Sequence, residues 1–94
     1  MSDRTHVRRR LVISGLVQGV GFRVSVAQEA IKIGVVGAVR NLEDGSVEVF
    51  LQGPTKAVQQ IQEWCRHGPA FARVREIEAT DEMLATDTTF VIVE

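Results

Sequence analysis

The spacing of apolar residues switches between strand and helix periods along this chain, and the order of the switches limits the fold more than any other feature. Apolar residues recur every three or four positions in residues 22–33 and again after Pro54. Alternating or continuous apolar runs lie before, between and after these two segments. A period near 3.6 predicts an amphipathic helix, and a period of two predicts a half-buried strand. The pattern therefore predicts two helices set among several strands.

Each predicted element is bounded by glycine, proline or a polar turn. Strands are predicted over residues 8–17, 36–42, 47–52, 73–79 and 88–93, and helices over residues 22–33 and from Gly53-Pro54 to Gly68-Pro69. Gly34 stands where a left-handed helix end belongs. Gly45 supplies a positive φ to the turn at residues 43–46, so the second and third strands form a hairpin.

The spacing also predicts which helix faces are buried. On the first helix, steps of four, three and four place one apolar face at Val20, Val24, Ala27 and Ile31. On the second helix, the apolar stripe contains Ala57, Val58, Ile61, Trp64 and Cys65. In the fourth strand the alternation slips between Val74 and Ile77, which indicates a bulge or a later strand start.

The order β-α-β-β-α-β, with a short extra strand at one end, predicts a ferredoxin-like α+β sandwich. Two helices then pack on one face of an antiparallel sheet. With 94 residues, the chain is expected to form one domain over residues 1–94, with residues 1–6 as a frayed tail. This fold hosts many functions, so the function has to be argued from a site.

Charge and composition favour some function classes over others. The net charge of −1 gives no overall attraction for nucleic acid or an anionic membrane, so neither is expected as a partner. Arg8, Arg9 and Arg10 leave open a basic arm for phosphate or RNA, against the simpler interpretation of a solvated terminus entering a sheet edge. No apolar run approaches the length of about 18 residues that a membrane-spanning helix needs.

Cysteine and histidine usage points to a reducing compartment without metal. Cys65 is the only cysteine, so no intrachain disulfide forms, and a cytoplasmic protein is predicted. His6 and His67 lack partners at metal-ligand spacing, so no metal site is expected. Nothing in the sequence demands an oligomer, and a monomer is predicted.

A glycine-rich run connects the first strand to the first helix. Gly15, Gly19 and Gly21 are followed by Arg23 at the start of the helical pattern. Glycines let backbone N–H groups face a ligand, and the first turn of a helix adds unpaired donors and partial positive charge. An arginine adds a planar donor fork. The run therefore predicts a site for a small dianion such as phosphate.

Nucleotide-binding motifs do not fit this run. A G-x-G-x-x-G motif needs glycine where Val24 stands, and the doubly wound context is missing. A Walker loop needs Lys followed by Ser or Thr after its second glycine, and neither is present. A GXXG-type nucleic-acid clamp has the wrong spacing, and aromatic residues for RNA stacking are few.

Asn41 lies at the end of the second strand, on the same face as Val39. A lone amide at a strand end most often caps a turn. An amide also donates and accepts at once, so it suits the orientation of a water molecule. The fold brings this strand end near the rim that carries Arg23, which favours the second interpretation.

The chain contains two long ordered motifs. The first is Gly15-Leu16-Val17-Gln18-Gly19-Val20-Gly21-Phe22-Arg23. The second runs from Gly34 to Val49 and contains Val39-Arg40-Asn41 and Asp44-Gly45-Ser46. Shorter segments follow at Gln52-Gly53-Pro54, Gly68-Pro69-Ala70 and Ala72-Arg73-Val74. Together these motifs resemble the acylphosphatase family, and the resemblance extends from about residue 7 to the end.

The resemblance implies hydrolysis of small acyl phosphates to a carboxylate and inorganic phosphate, with neither metal nor cofactor. In this interpretation Arg23 binds the substrate and Asn41 orients the attacking water. The phosphate cradle is the backbone of Gln18, Gly19, Val20, Gly21 and Phe22.

One departure from the family pattern and one alternative function bear on this hypothesis. Ala38 stands where relatives usually carry a large aromatic residue, which widens the acyl side of the site or weakens packing. Phe50, which faces away from Val49, is a candidate for contact with the acyl group. The alternative is a module on the same fold that binds phosphate or an acyl phosphate without turnover.

Overall fold

A computed structural model describes residues 5–94. Its elements, in chain order, are β1 (His6–Leu16), α1 (Phe22–Ile33), β2 (Val36–Asn41), β3 (Val47–Pro54), α2 (Thr55–Cys65), β4 (Arg73–Glu82) and β5 (Phe90–Ile92). All seven predicted elements are present. The predicted tail falls partly on residues 1–4, outside the described residues, while His6 belongs to β1 and corrects the predicted start of that strand.

The five strands form one sheet in the order β4-β1-β3-β2-β5. The first four are antiparallel neighbours, as predicted. β5 runs parallel to β2, so the sheet is mixed, and the expectation of a wholly antiparallel sheet is corrected at this edge. The polar segment that precedes β5 lets the chain reach the far side of β2 and enter it in the same direction.

Several boundaries differ from the sequence prediction. β4 extends to Glu82 and β5 shrinks to residues 90–92. The pairing of Arg8 with Glu82 and of Arg9 with Asp81 lengthens β4, because the long β1 offers partners beyond the last apolar residue. The sequence pattern does not predict this part of β4, because charged residues have a low strand propensity.

The irregularity predicted in β4 is a bulge. Ser14 pairs with Glu76 and Gly15 with Val74, so Arg75 is the extra residue. A bulge, and not a later start of the strand, therefore causes the slip in the alternation between Val74 and Ile77.

The core lies between the sheet and the two helices. Val47, Val49 and Leu51 of β3 are fully buried on the helix-covered face. On α2 the predicted stripe is confirmed, with Val58, Ile61 and Cys65 buried and Ala57 and Trp64 partly buried against them.

The buried face of α1 differs from the predicted one. Ala27 is buried as expected and Val20 packs partly against the core, but Val24 and Ile31 are 52% and 63% exposed. The core is instead contacted by Phe22, Val26, Ala27 and Ala30. Phe22 sets this orientation, because it buries the largest side chain of the helix and meets the Trp64 ring edge-on at 5.9 Å between centroids.

The arginines near the start of the chain are paired with acidic residues. Arg8 contacts Asp87, Arg9 contacts Asp81 and Arg10 contacts Glu48. These three side chains therefore do not form the unpaired basic arm that the sequence left open. Within residues 5–94, no helix is long and apolar enough to cross a bilayer.

Candidate active site

The loop between β1 and α1 and the end of β2 enclose a pocket of about 120 Å³. Seven residues line it: Val17, Gly19, Gly21, Phe22, Arg23, Val24 and Asn41. The volume is below the range of roughly 300–1,000 Å³ typical of pockets for drug-sized ligands. A larger groove of about 400 Å³ beside Ile31 and Phe90 is lined by no charged side chain. The small pocket, which contains Arg23, therefore suits a compact anion better than this groove does.

Most of the predicted site residues meet at this pocket. Gly19, Gly21, Phe22, Arg23 and Asn41 line it together. The remaining two predicted residues, Gln18 and Val20, do not line it: the side chain of Val20 packs against the core, and that of Gln18 reaches the β2–β3 turn.

The loop backbone leaves a series of donors without acceptors. None of the backbone N–H groups of residues 18–24 donates to an acceptor within residues 5–94, and the first helical bond is from Ser25 N to Gly21 O at 3.1 Å. No side chain caps the start of α1, and its first turn holds no acidic residue. Unpaired donors at a helix start favour an anion.

Gly19 and Gly21 are required by their backbone conformation. Their φ values are 77° and 79°, a region that side-chain-bearing L-residues rarely adopt. A Cβ at either position would meet no atom within 4 Å, so crowding by the protein is not the reason for glycine. The two glycines turn the loop and leave open space above its backbone.

Arg23 projects from the first turn of α1 and contacts the end of the chain. Its Nη1 donates to the carbonyl oxygen of Val93 at 3.1 Å and lies 3.7 Å from Oε1 of Glu94. Within the described chain, Nε and Nη2 have no acceptor. A guanidinium with N–H groups still available at a pocket can bind two oxygens of one phosphate.

Asn41 reaches the pocket from the last residue of β2. Asn41 is exposed, and its side-chain amide makes no hydrogen bond within residues 5–94. Val39, two residues earlier, is fully buried on the same strand face, so the alternation predicted from the sequence carries Asn41 to this side of the sheet. The amide is therefore free to bind a water or a ligand oxygen.

Ala38 and Phe50 lie on the opposite face of the sheet. They are cross-strand neighbours and line a separate groove of about 340 Å³ with Arg8, Arg40, Glu48 and Asp87. Neither lines the pocket that contains Arg23. Val93, whose carbonyl oxygen accepts a hydrogen bond from Arg23, also lines this groove and places it beside the pocket. Contact of Ala38 and Phe50 with the acyl group stays a prediction.

Sequence reasoning missed four residues at or beside the pocket: Val17, Val24, Val93 and Glu94. Val17 lies within the glycine motif and Val24 directly follows it, so the motif was the available signal. Val93 contacts Arg23 across 70 positions of sequence, so no local pattern could predict it. In the described part of the chain, no group of three or more His, Cys, Asp or Glu side chains is placed to hold a metal ion.

Comparison with known proteins decides the family. The acylphosphatase family model matches residues 9–92 of this chain. The chain belongs to the acylphosphatase family. An acylphosphatase of Anaeromyxobacter dehalogenans is 51% identical over 78 residues, which cover 83% of this chain and 82% of the relative. The family resemblance, the fold and the hydrolase function expected from the sequence are therefore confirmed.

Solved structures agree with the sequence relatives. The crystal structure of acylphosphatase from Bacillus subtilis superposes with a TM-score of 0.90 at 38% identity, over 94% of this chain and 99% of that one. The structure of an acylphosphatase from Coxiella burnetii gives a TM-score of 0.93 at 28% identity, over 99% of this chain and 98% of that one.

Proposed function

We propose that this protein hydrolyses small acyl phosphates in the pocket between the β1–α1 loop and the end of β2, without a metal ion. The observation that carries the proposal is that Arg23 and Asn41, from different elements, line one small pocket with two left-handed glycines. Family membership supplies the reaction class. We also propose that the protein is a cytoplasmic monomer and that it acts on a small molecule rather than on nucleic acid or a membrane.

In the proposed mechanism the phosphate is bound by charge and by backbone donors. Phosphoryl transfer passes through a loose transition state, so positioning and charge stabilisation supply most of the catalysis. Unpaired N–H groups of the β1–α1 loop hold phosphate oxygens, and Arg23 binds two oxygens and balances charge as the transition state forms.

Asn41 acts on the other reactant, which is water. Its side-chain oxygen accepts a hydrogen bond from the water and holds the water oxygen in line with the bond that breaks. The water oxygen forms a bond to phosphorus, and the bond from phosphorus to the acyl oxygen breaks with its electron pair leaving on the carboxylate. A phosphate oxygen takes the proton of the water, so the mechanism needs no separate basic side chain.

The test is hydrolysis of benzoyl phosphate with EDTA present, by wild type, Arg23→Ala and Asn41→Ala. Both variants are expected to lose about 10²-fold or more in kcat, the scale of removing one group that stabilises the transition state. Arg75→Ala is the matched control. Arg75 is exposed on β4, so its replacement removes the same charge at a position away from the pocket. It should retain the wild-type rate.

Circular dichroism and thermal unfolding establish that each variant is folded. A folded Arg23→Ala protein with the full wild-type rate would contradict the role of Arg23. Wild-type activity that disappears with EDTA and returns with a metal ion would contradict metal independence. Phosphate binding without any hydrolysis by folded wild type would favour the binding module instead.

A further inference from the structure

The side chain of Gln18 connects two segments that meet at the pocket. Gln18 lies in the β1–α1 loop and is half-buried. Its Nε2 donates to the carbonyl oxygen of Leu42 and to that of Ser46, both at 2.8 Å. Both partners are acceptors only, so the orientation of the amide is fixed by chemistry: the NH₂ group must face the two carbonyls.

The two acceptors belong to the turn that follows Asn41. Leu42 N donates to Ser46 O at 2.8 Å, and Gly45 N donates to Leu42 O at 3.2 Å. These bonds close the β2–β3 hairpin directly after Asn41. Each carbonyl oxygen therefore accepts one hydrogen bond from the turn itself and one from Gln18. The side chain of Gln18 thus joins the turn to the β1–α1 loop.

The turn is held on its other side as well. Ser46 is 4% exposed, and both its backbone N–H and its hydroxyl donate to Oδ1 of Asp44, the former at 2.9 Å. Gly45 has a φ of 94°, as the turn requires. Because these bonds hold the carbonyl groups of Leu42 and Ser46 in place, the hydrogen bonds to them also hold the side chain of Gln18. The backbone of the β1–α1 loop and Asn41 thus keep one relative position.

We infer that Gln18 is a positioning residue, whose side chain sets the distance between the phosphate-binding backbone and the water-orienting amide of Asn41. The inference rests on the proposed function. A nucleophile displaced by about 1 Å can cost about 10²-fold in rate, so a bond that fixes this distance acts on catalysis without touching the substrate.

The test replaces Gln18 by Met, which keeps the length of the side chain and removes its donors. We expect kcat for benzoyl phosphate to fall by about 10-fold to 10²-fold. Competitive inhibition by inorganic phosphate should change by less than about threefold, because Arg23 and the loop N–H groups remain. A loss confined to kcat separates positioning from a general loss of structure, which would weaken phosphate binding as well.

The matched control is Gln52→Met. Gln52 is also half-buried and makes two bonds to backbone: Nε2 to Ala85 O and Oε1 from Ala85 N, both at 2.9 Å. It pairs with Val36 at the start of β2, the end opposite Asn41. Its replacement should leave kcat within about twofold of wild type. An equal fall in kcat for both variants would overturn the inference.

A double-mutant cycle identifies the group through which Gln18 acts. In an Asn41→Ala background, Gln18→Met should cost less than about threefold, because no water-orienting amide is left to misplace. Costs that multiply in the double variant would overturn the inference, and so would an unchanged kcat in the single variant. Hydrolysis absent from wild type would instead contradict the proposed function.

A second variant covers the case in which Gln18→Met does not fold. Gln18→Glu keeps the shape, and its ionised carboxylate only accepts hydrogen bonds, so it repels both carbonyls. Its kcat should fall at least as far as expected for Gln18→Met. Faster hydrogen exchange of the Leu42 and Gly45 amides should accompany the change, and exchange as slow as in wild type would count against the connection.

Discussion

At the scale of single residues, Arg23 is shared between the pocket and the end of the chain. Its guanidinium donates to Val93 O and lies within 4 Å of the Glu94 carboxylate, whose side chain is 88% exposed. A phosphate that binds Arg23 must compete with this carboxylate. Exposed ion pairs contribute about 0–1 kcal/mol, so the competition is mild and sensitive to salt.

Removal of the Glu94 charge should therefore strengthen phosphate binding. We expect Glu94→Gln to lower the inhibition constant for inorganic phosphate by about two- to fivefold at low ionic strength. The difference should shrink in about 0.5 M salt. Glu78→Gln on exposed β4 removes the same charge elsewhere and is the control. An equal change in both variants would show a general charge effect and contradict competition at Arg23.

The site was predictable from the sequence to the extent that its parts are local. The glycine motif and Arg23 lie within nine consecutive residues, and the strand alternation oriented Asn41 correctly. The contact of Arg23 with Val93 depends on β5 running parallel to β2, and the bonds of Gln18 depend on how the hairpin closes. Such contacts are set by packing across the chain and leave no periodic signal.

At the scale of elements, α1 shows where periodicity alone is insufficient. Its apolar residues are numerous enough to define two stripes, one through Val24 and Ile31 and one through Phe22, Val26 and Ala30. The stripe that contains the largest side chain is buried, because burial of an aromatic ring contributes more than burial of a valine. The bounds of α1 were predicted correctly because glycines mark both ends.

Three charged side chains connect three strands on the face of the sheet that the helices do not cover. Glu48 of β3 accepts from Arg10 Nε of β1 and from Arg40 Nε of β2, each at 2.6 Å, and its side chain is only 4% exposed. Burial by itself raises the pKa of Glu48. The hydrogen bonds and charges of Arg40 and Arg10 outweigh that effect and hold the pKa below its usual 4.5.

Glu48 should therefore stabilise the fold above its unfolded pKa and lose this contribution as the pH falls through its lower folded pKa. We expect Glu48→Gln to lower the free energy of unfolding at pH 7 by about 1–3 kcal/mol, since the two arginines are only partly buried. Urea titrations from pH 7 to pH 3 should converge for variant and wild type. A difference that stays constant with pH would contradict this role, and Glu78→Gln is the exposed control.

At the scale of the whole molecule, the fold brings opposite charges from the two ends of the chain together. Arg8 and Arg9 contact Asp87 and Asp81, which lie 79 and 72 positions later. These ion pairs offset the charge of the two arginines on β1. Because the partners are far apart in sequence, no local pattern predicts the pairing.

Cys65 reports on cooperative unfolding of the whole molecule. It is fully buried on α2, and burial raises the pKa of its thiol to about 12. At pH 8 the native thiolate fraction is therefore on the order of 10⁻⁴, and a thiol reagent has no direct access. Labelling then requires an opening of the core, whose frequency follows the stability of the fold when reclosing is fast.

The valines of α1 provide a matched pair for this test. Val26 is fully buried and Val24 is 52% exposed on the same helix. Val26→Ala should remove about 1.5–3 kcal/mol and speed labelling of Cys65 by a thiol-specific disulfide reagent by about 10-fold to 10²-fold. Val24→Ala should change the rate by less than about threefold. Because Cys65 lies on the other helix, an equal rate in both variants would mean that α2 opens independently of α1, and cooperative unfolding would then be contradicted.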